Sequence, residues 1–203
     1  MLDFEDFLAR ARTKLLTEPA VTWSRSDDDM NEKARMIPDG VVPKAAAVLI
    51  AIVMRAAPTV ILTQRHAGLS KHPGQIAFPG GRMDAGETAV AAALREAREE
   101  IGLAHDHVEI LGFGDCYLTV TQYQVMPVVA LVREGFTLQA QDGEVDEIFE
   151  VPLAFLMDPR NCRREGREWQ GRKRYYNVYQ FQDRHIWGAT AGMIRQFYDR
   201  LYA

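Results

Sequence analysis

Apolar and polar positions alternate along the chain in ways that predict its elements. Residues 3–16 place Phe4, Leu8, Ala11 and Leu15 on one narrow face, at the three- and four-residue spacing that aligns side chains on an α-helix. Asp3, Glu5 and Asp6 open this segment and Arg10, Arg12 and Lys14 follow, the order that complements the helix dipole. Pro19 is expected to close it. The stretch "SRSDDDMNEKARMIPDG" (residues 24–40) has no apolar period and reads as a polar surface loop. From Lys44 the texture changes. "KAAAVLIAIVM" and "TVILTQR" read as buried strands joined by a turn at Ala56–Pro58. A Gly/Pro-rich loop then leads into a helix predicted from Thr88 to Ile101 and stopped by Gly102. Strands are predicted over 108–119, 124–132 and 145–151 and along "RKRYYNVYQF". A last helix is predicted over 189–202, its apolar side formed by Ala191, Ile194, Phe197, Tyr198 and Leu201. Strands mixed with few helices, without regular strand–helix–strand alternation, predict a mixed α/β sandwich. We expect one domain over residues 1–203, with residues 1–40 a helical extension and loop.

Bulk properties narrow the function classes. A formal net charge of −4 gives no general attraction to nucleic acid or to an anionic membrane. The longest apolar run, Ala45 to Met54, is too short to span a bilayer. The start "MLDFEDFLAR" lacks the pattern of a signal peptide. Cys116 and Cys162 have no metal-type spacing and read as reduced thiols of a cytoplasmic protein. The apolar face of the N-terminal helix needs a cover, from this chain or a second copy, and a homodimer is expected. The basic run from Arg160 to Tyr176 is interrupted by Glu165 and Glu168. It reads as a solvated hairpin, so no nucleic-acid partner is expected.

The central helix carries the candidate chemistry. "LREAREEIGL" crowds Glu96, Glu99 and Glu100 into an arc of roughly 100°. Like charges at this spacing repel, so either the face is fully solvated or a cation belongs there. Val90, Leu94, Ala97 and Ile101 form the expected buried seam. The glutamates stand beside that seam, over a hollow floored by Ala89, Ala92 and Ala93. Clustered carboxylates of this kind suit Mg²⁺ or Mn²⁺.

The window "GRMDAGETAVAAALREAREEIGL", from Gly81 to Leu103, supplies more than the cluster. Its glycines, Glu87, Arg95-Glu96 and Glu99-Glu100 fall at every fixed position of the Nudix box, and the chain therefore resembles the Nudix hydrolases. The resemblance implies an α/β/α sandwich with a mixed sheet, here with an extra N-terminal helix. It also implies hydrolysis of a nucleoside diphosphate linked to another moiety. By the same resemblance Glu96, Glu99 and Glu100 bind the divalent cation, while Glu87 and Arg95 brace the loop against the helix. The base that takes the proton from water varies within the family. Glu99, Glu100 or a loop residue would serve, and Glu144 is the loop candidate, with Glu147 in reserve.

Upstream, "ILTQRHAGLSKHPGQIAFPGG" (Ile61 to Gly81) resembles the signature of the coenzyme A pyrophosphatase branch at Leu62, Thr63, Arg65, Gly74, Phe78, Pro79, Gly80 and Gly81. His66 replaces the usual Ser or Ala, and Ser70 stands where Arg is usual, followed by Lys71. "HIWGATAGMI" (His185 to Ile194) also resembles that branch. The implied reaction splits CoA or a derivative into 3′,5′-ADP and a 4′-phosphopantetheine species. Arg65, Lys71, Phe78 and Gly81 are the expected substrate contacts. Gly80 and Gly81 let the backbone approach metal or pyrophosphate. A Nudix hydrolase of ADP-ribose, a dinucleotide or a nucleoside triphosphate is the alternative. A nucleotide sensor without turnover is a third reading, opposed by the intact glutamate set.

Overall fold

A computed structural model describes residues 2–169 and 171–203. The chain runs through α1 (Phe4–Lys14), β1 (Arg25–Ser26), β2 (Lys44–Val53), β3 (Thr59–Arg65), β4 (Ile76–Ala77), β5 (Gly80–Arg82) and α2 (Ala89–Ile101). It continues through β6 (Val108–Phe113), β7 (Tyr117–Leu118), β8 (Tyr123–Val132), β9 (Val145–Pro152) and α3 (Leu153–Leu156). The last elements are β10 (Cys162–Trp169), β11 (Arg172–Phe181), β12 (Arg184–Trp187) and α4 (Gly188–Tyr202).

The spine is the parallel pair β2 and β8, in continuous register from Lys44↔Tyr123 to Val53↔Val132. Both are nearly unbroken apolar runs because the sheet is covered on both faces. Among the described residues nine strands form one mixed sheet, and β10, β11 and β12 form a separate antiparallel one. One face of the large sheet buries Ile50, Ile52, Leu62 and Val129 with Phe7, Ile194 and Phe197 from α1 and α4. The other buries Leu49, Val53, Ile61 and Val128 under the alanines of α2. The layering is α/β/α, as expected. Pro127 lies inside β8 where the neighbour changes, between Val125, the last residue paired with β7, and Val128, the first paired with β6. A missing N–H is tolerated at such a gap.

Four expectations change here. Helix α1 stops at Lys14, with Leu15 already extended, and Leu16 pairs with Phe113; the helix therefore ends before Pro19. Its buried stripe centres on Phe7 and Ala11, both fully buried, while Phe4 and Leu8 lie at the flank. Phe7 meets Phe197 of α4 edge-on at 6.0 Å. The cover for this face is the same chain, one of the two covers expected, so the face gives no support to the expected homodimer.

Residues 24–40 are also not a loose surface loop. Asp27 accepts hydrogen bonds from Tyr117 Oη (2.9 Å) and Val120 N (2.8 Å). Asp28, 7 % exposed, accepts from the amides of Met36 and Ile37 and pairs with Arg174 at 2.8 Å. Asn31 exchanges bonds with the backbone of Tyr175 on β11. Removing one partner of a buried ion pair leaves the other charge unpaired, which costs about 3–5 kcal/mol. Arg174→Met is expected to destabilise the protein by about that much, read as a lower urea midpoint at unchanged slope.

Candidate active site

The site forms where β5, α2 and the ends of β3 and β9 converge. Strand β5 lies against the start of β2, with Gly80 opposite Val48 and Gly81 opposite Ala47. A Cβ on Gly81 would fall 2.5 Å from the Glu96 carboxylate. Helix α2 begins where the Thr88 hydroxyl accepts from Ala91 N at 3.1 Å. It ends at Gly102, whose φ of 69° closes the C-terminus.

The orientation of α2 corrects the sequence reading. Ala89, Ala92, Ala93, Ala97, Glu100 and Ile101 are buried, whereas Val90 and Leu94 are only partly so. The alanines are not the floor of a hollow. They are the contact surface, small enough to bring the helix close to β2. Glu100 projects within that arc and is 5 % exposed.

Each glutamate has a distinct environment. Glu100 Oε2 accepts from Gly80 N at 3.0 Å, and its Oε1 lies 3.8 Å from Arg65 Nη1. Burial pushes the Glu100 carboxyl up to about 7, against the pull of Gly80 N and Arg65; Glu96 and Glu144 add to the rise. Glu96 is half-buried and also raised, mainly by burial, despite its bond to Arg95. Glu99 is exposed. Arg95 binds Glu87 through Nε (2.9 Å) and Nη2 (3.0 Å), and through Nη1 it reaches Glu96 (2.9 Å) and Glu99 (3.1 Å). Its Nη2 also donates to Arg82 O at 3.1 Å. Arg95 therefore offsets part of the glutamate repulsion itself, beyond the bracing expected of it. Glu87 Oε2 accepts from Asp84 N at 2.9 Å, tying the loop to the arginine.

The remaining candidates separate. Glu144 is exposed, and its charge is felt at both Glu96 and Glu100. Glu147 instead pairs with Arg184 of β12. Lys71 is exposed in the β3–β4 loop. Phe78 is 3 % exposed and packs with the α1/α4-side core, so its ring has almost no surface to offer a substrate. Cys116 is buried, and burial pushes its thiol up to about 11, in keeping with a core residue. The residues that no sequence signal singled out are Asp146 and Gln141. Asp146 binds across to the β3–β4 loop, and the Gln141 amide donates to Glu100 O.

The donor set suits a hard divalent cation: several carboxylates stand beside a cradle kept open by Gly81, with burial opposing their ionisation. Among the described residues no three such side chains already converge on one metal position. Arg95 holds Glu96 and Glu99, so those two would have to leave it to ligate.

Residues 43–174 match the NUDIX domain family. A protein of Citrobacter koseri bearing the name uncharacterized Nudix hydrolase NudL is 40% identical over 159 residues, which cover 75% of this chain and 80% of the relative. Its namesake from Escherichia coli K12 is 41% identical over the same extent. The crystal structure of DR0079 from Deinococcus radiodurans superposes with a TM-score of 0.51 at 16% identity, covering 81% of this chain and 88% of that one, a likeness of fold alone. With the box spacing, the α/β/α layers and the clustered glutamates, these matches make the chain a member of the Nudix hydrolases, and its reaction is pyrophosphohydrolysis.

Proposed function

We propose that the protein hydrolyses the pyrophosphate bond of coenzyme A or its derivatives, releasing 3′,5′-ADP and a 4′-phosphopantetheine species. The observation that carries this reading is the position of Arg65. The upstream signature ends its strand run at this residue, and the guanidinium lies 3.8 Å from Glu100. A guanidinium held there stands beside the carboxylates, so a substrate phosphate would be met by the Arg65 charge on one side and by a divalent cation held by the glutamates on the other. Lys71 adds a point charge near the position where Ser70 replaces the usual arginine.

Glu96, Glu99 and Glu100 would hold Mg²⁺ or Mn²⁺ together with the backbone at Gly80. Such a cation lowers the pKa of bound water and offsets phosphate charge. The chain's own groups do the rest. Arg95, braced by Glu87, keeps the helix end and the box loop in register. Arg65 and Lys71 hold the substrate's phosphates. Glu144, exposed and acting electrostatically on Glu96 and Glu100, accepts the proton of the attacking water, with Glu99 and Glu100 as the other carboxylates within the cluster. Water adds at phosphorus as the bridging P–O bond breaks, and the departing phosphate takes the electron pair.

The test is a product assay by mass spectrometry, with Mg²⁺ or Mn²⁺ and separately CoA, ADP-ribose or dGTP. Formation of 3′,5′-ADP from CoA alone is the expected result. Cleavage of ADP-ribose or dGTP in its place would retain the Nudix chemistry and discard CoA as substrate.

A further inference from the structure

Strands β9 and β3 pair in regular antiparallel register from Thr59↔Pro152 to Gln64↔Glu147, and then the register slips so that Arg65 faces Val145. Asp146 is the extra residue at this slip. Bulges of this kind bend a strand end and re-aim its side chains. Here the Asp146 carboxylate reaches across to the opposite loop. Its Oδ2 accepts from Ala67 N at 2.9 Å, and its Oδ1 lies 3.6 Å from His66 Nε2. The same imidazole accepts from Gly68 N through Nδ1 at 2.9 Å. A Cβ on Gly68 would fall 2.8 Å from His66 Cε1, so the ring sits where only glycine leaves room. The His66 amide donates to Glu144 O at 2.9 Å.

We infer that His66 and Asp146 are positioning residues that hold Glu144 in one place against the strand end that carries Arg65. The inference rests on the reading of Glu144 as proton acceptor. Arg65 and Glu144 come from segments far apart in sequence, and each sits where its strand gives way to exposed loop. The latch joins those ends at three points: the His66 ring shapes the turn to Gly68, Asp146 ties that turn to the bulge, and the His66 amide fixes the backbone of Glu144. The Ser or Ala of the family signature reproduces less of this. A serine hydroxyl can accept from Gly68 N, but it is too short to approach Asp146, and alanine does neither.

The test uses the full chain with Mg²⁺ and CoA, or ADP-ribose if the product assay selects it. His66→Ala is expected to lower kcat about 10- to 100-fold, the loss typical of an ångström-scale misplacement, with KM within about twofold and Tm within about 2 °C. His66→Asn should recover most of the loss, because its Oδ1 replaces Nδ1 as acceptor for Gly68 N. His66→Ala combined with Glu144→Gln should lose little beyond Glu144→Gln alone, since both act on one group. Native turnover in His66→Ala beside a crippled Glu144→Gln would overturn the latch and leave the role of Glu144 standing. Native turnover in Glu144→Gln would instead overturn the reading beneath it. A raised KM at unchanged kcat in His66→Ala would make the residue a substrate contact and refute positioning.

Discussion

Glutamine in place of Glu100 is expected to lower kcat by about 10²–10⁴-fold and yet to make the metal-free protein more stable at pH 8. The second half follows from the carboxyl's environment. In the folded chain it is pushed up to about 7 from an ordinary 4.5, chiefly by burial. Between those values the folded state keeps a proton that the unfolded chain has released. Native stability therefore falls as pH rises from about 4.5 to about 7, and the deficit is complete above that interval. Below it both states are protonated and nothing is lost. Glutamine has no charge to bury, and its amide oxygen can still accept from Gly80 N. The variant's advantage should grow from near zero at pH 4 to about 3 kcal/mol at pH 8. Urea unfolding in a chelator across that range measures it. Added Mg²⁺ should reverse the order, because the variant keeps only two of the three carboxylate ligands and binds the cation more weakly. A stability difference that does not vary with pH would show that Glu100 holds no buried proton.

Gly80→Ala and Gly81→Ala, one residue apart, are expected to fail in opposite ways. Gly80 has φ +154°, and its Cβ would lie 2.4 Å from Ala47 O and 2.6 Å from Val48 Cα. These are backbone atoms of the central strand and cannot step aside. Strain and overpacking together should cost about 3–5 kcal/mol and leave little folded protein at 37 °C. At Gly81 the obstructed atoms belong to the Glu96 carboxylate, the free end of a flexible side chain. That group can rotate away, so Tm should shift by only a few degrees while kcat falls about 10²-fold. Circular dichroism and turnover on the same two preparations separate the cases. Full activity in Gly81→Ala would mean that the position of the Glu96 carboxylate does not matter to the reaction.

What could be read from the sequence was what is decided locally. The Thr88 cap, the Gly102 stop and the apolar runs of β2 and β3 depend on neighbours within a turn or on burial of both strand faces, and the boundaries match to within a residue or two. The buried face of α2 was misread because the periodicity rewarded Val90 and Leu94 for size. Close packing of a helix on a sheet favours the smaller Ala92 and Ala93, both fully buried. The segment holding Asp27, Asp28 and Asn31 carries turn-forming residues that ordinarily bond within a few positions. Here their partners Tyr117, Arg174 and Tyr175 lie about a hundred residues or more away, so no window along the chain could show them. Glu144 and Glu147 were likewise indistinguishable by composition. Only the fold brings Arg184 to Glu147.

The seating of α1 on α4 bears on the order of events during synthesis. Arg200 donates to Lys14 O and binds Asp115, and Arg10 reaches Leu201 O, contacts that span up to 191 positions. Contacts so distant in sequence form late, because closing the intervening loop costs entropy before any contact repays it. Helix α1 is made well before α4 and is thus among the last elements to find its place. Its Phe7 side must wait in solvent until α4 has been made. Through that interval the nascent chain presents an apolar helix face of the kind that chaperones hold.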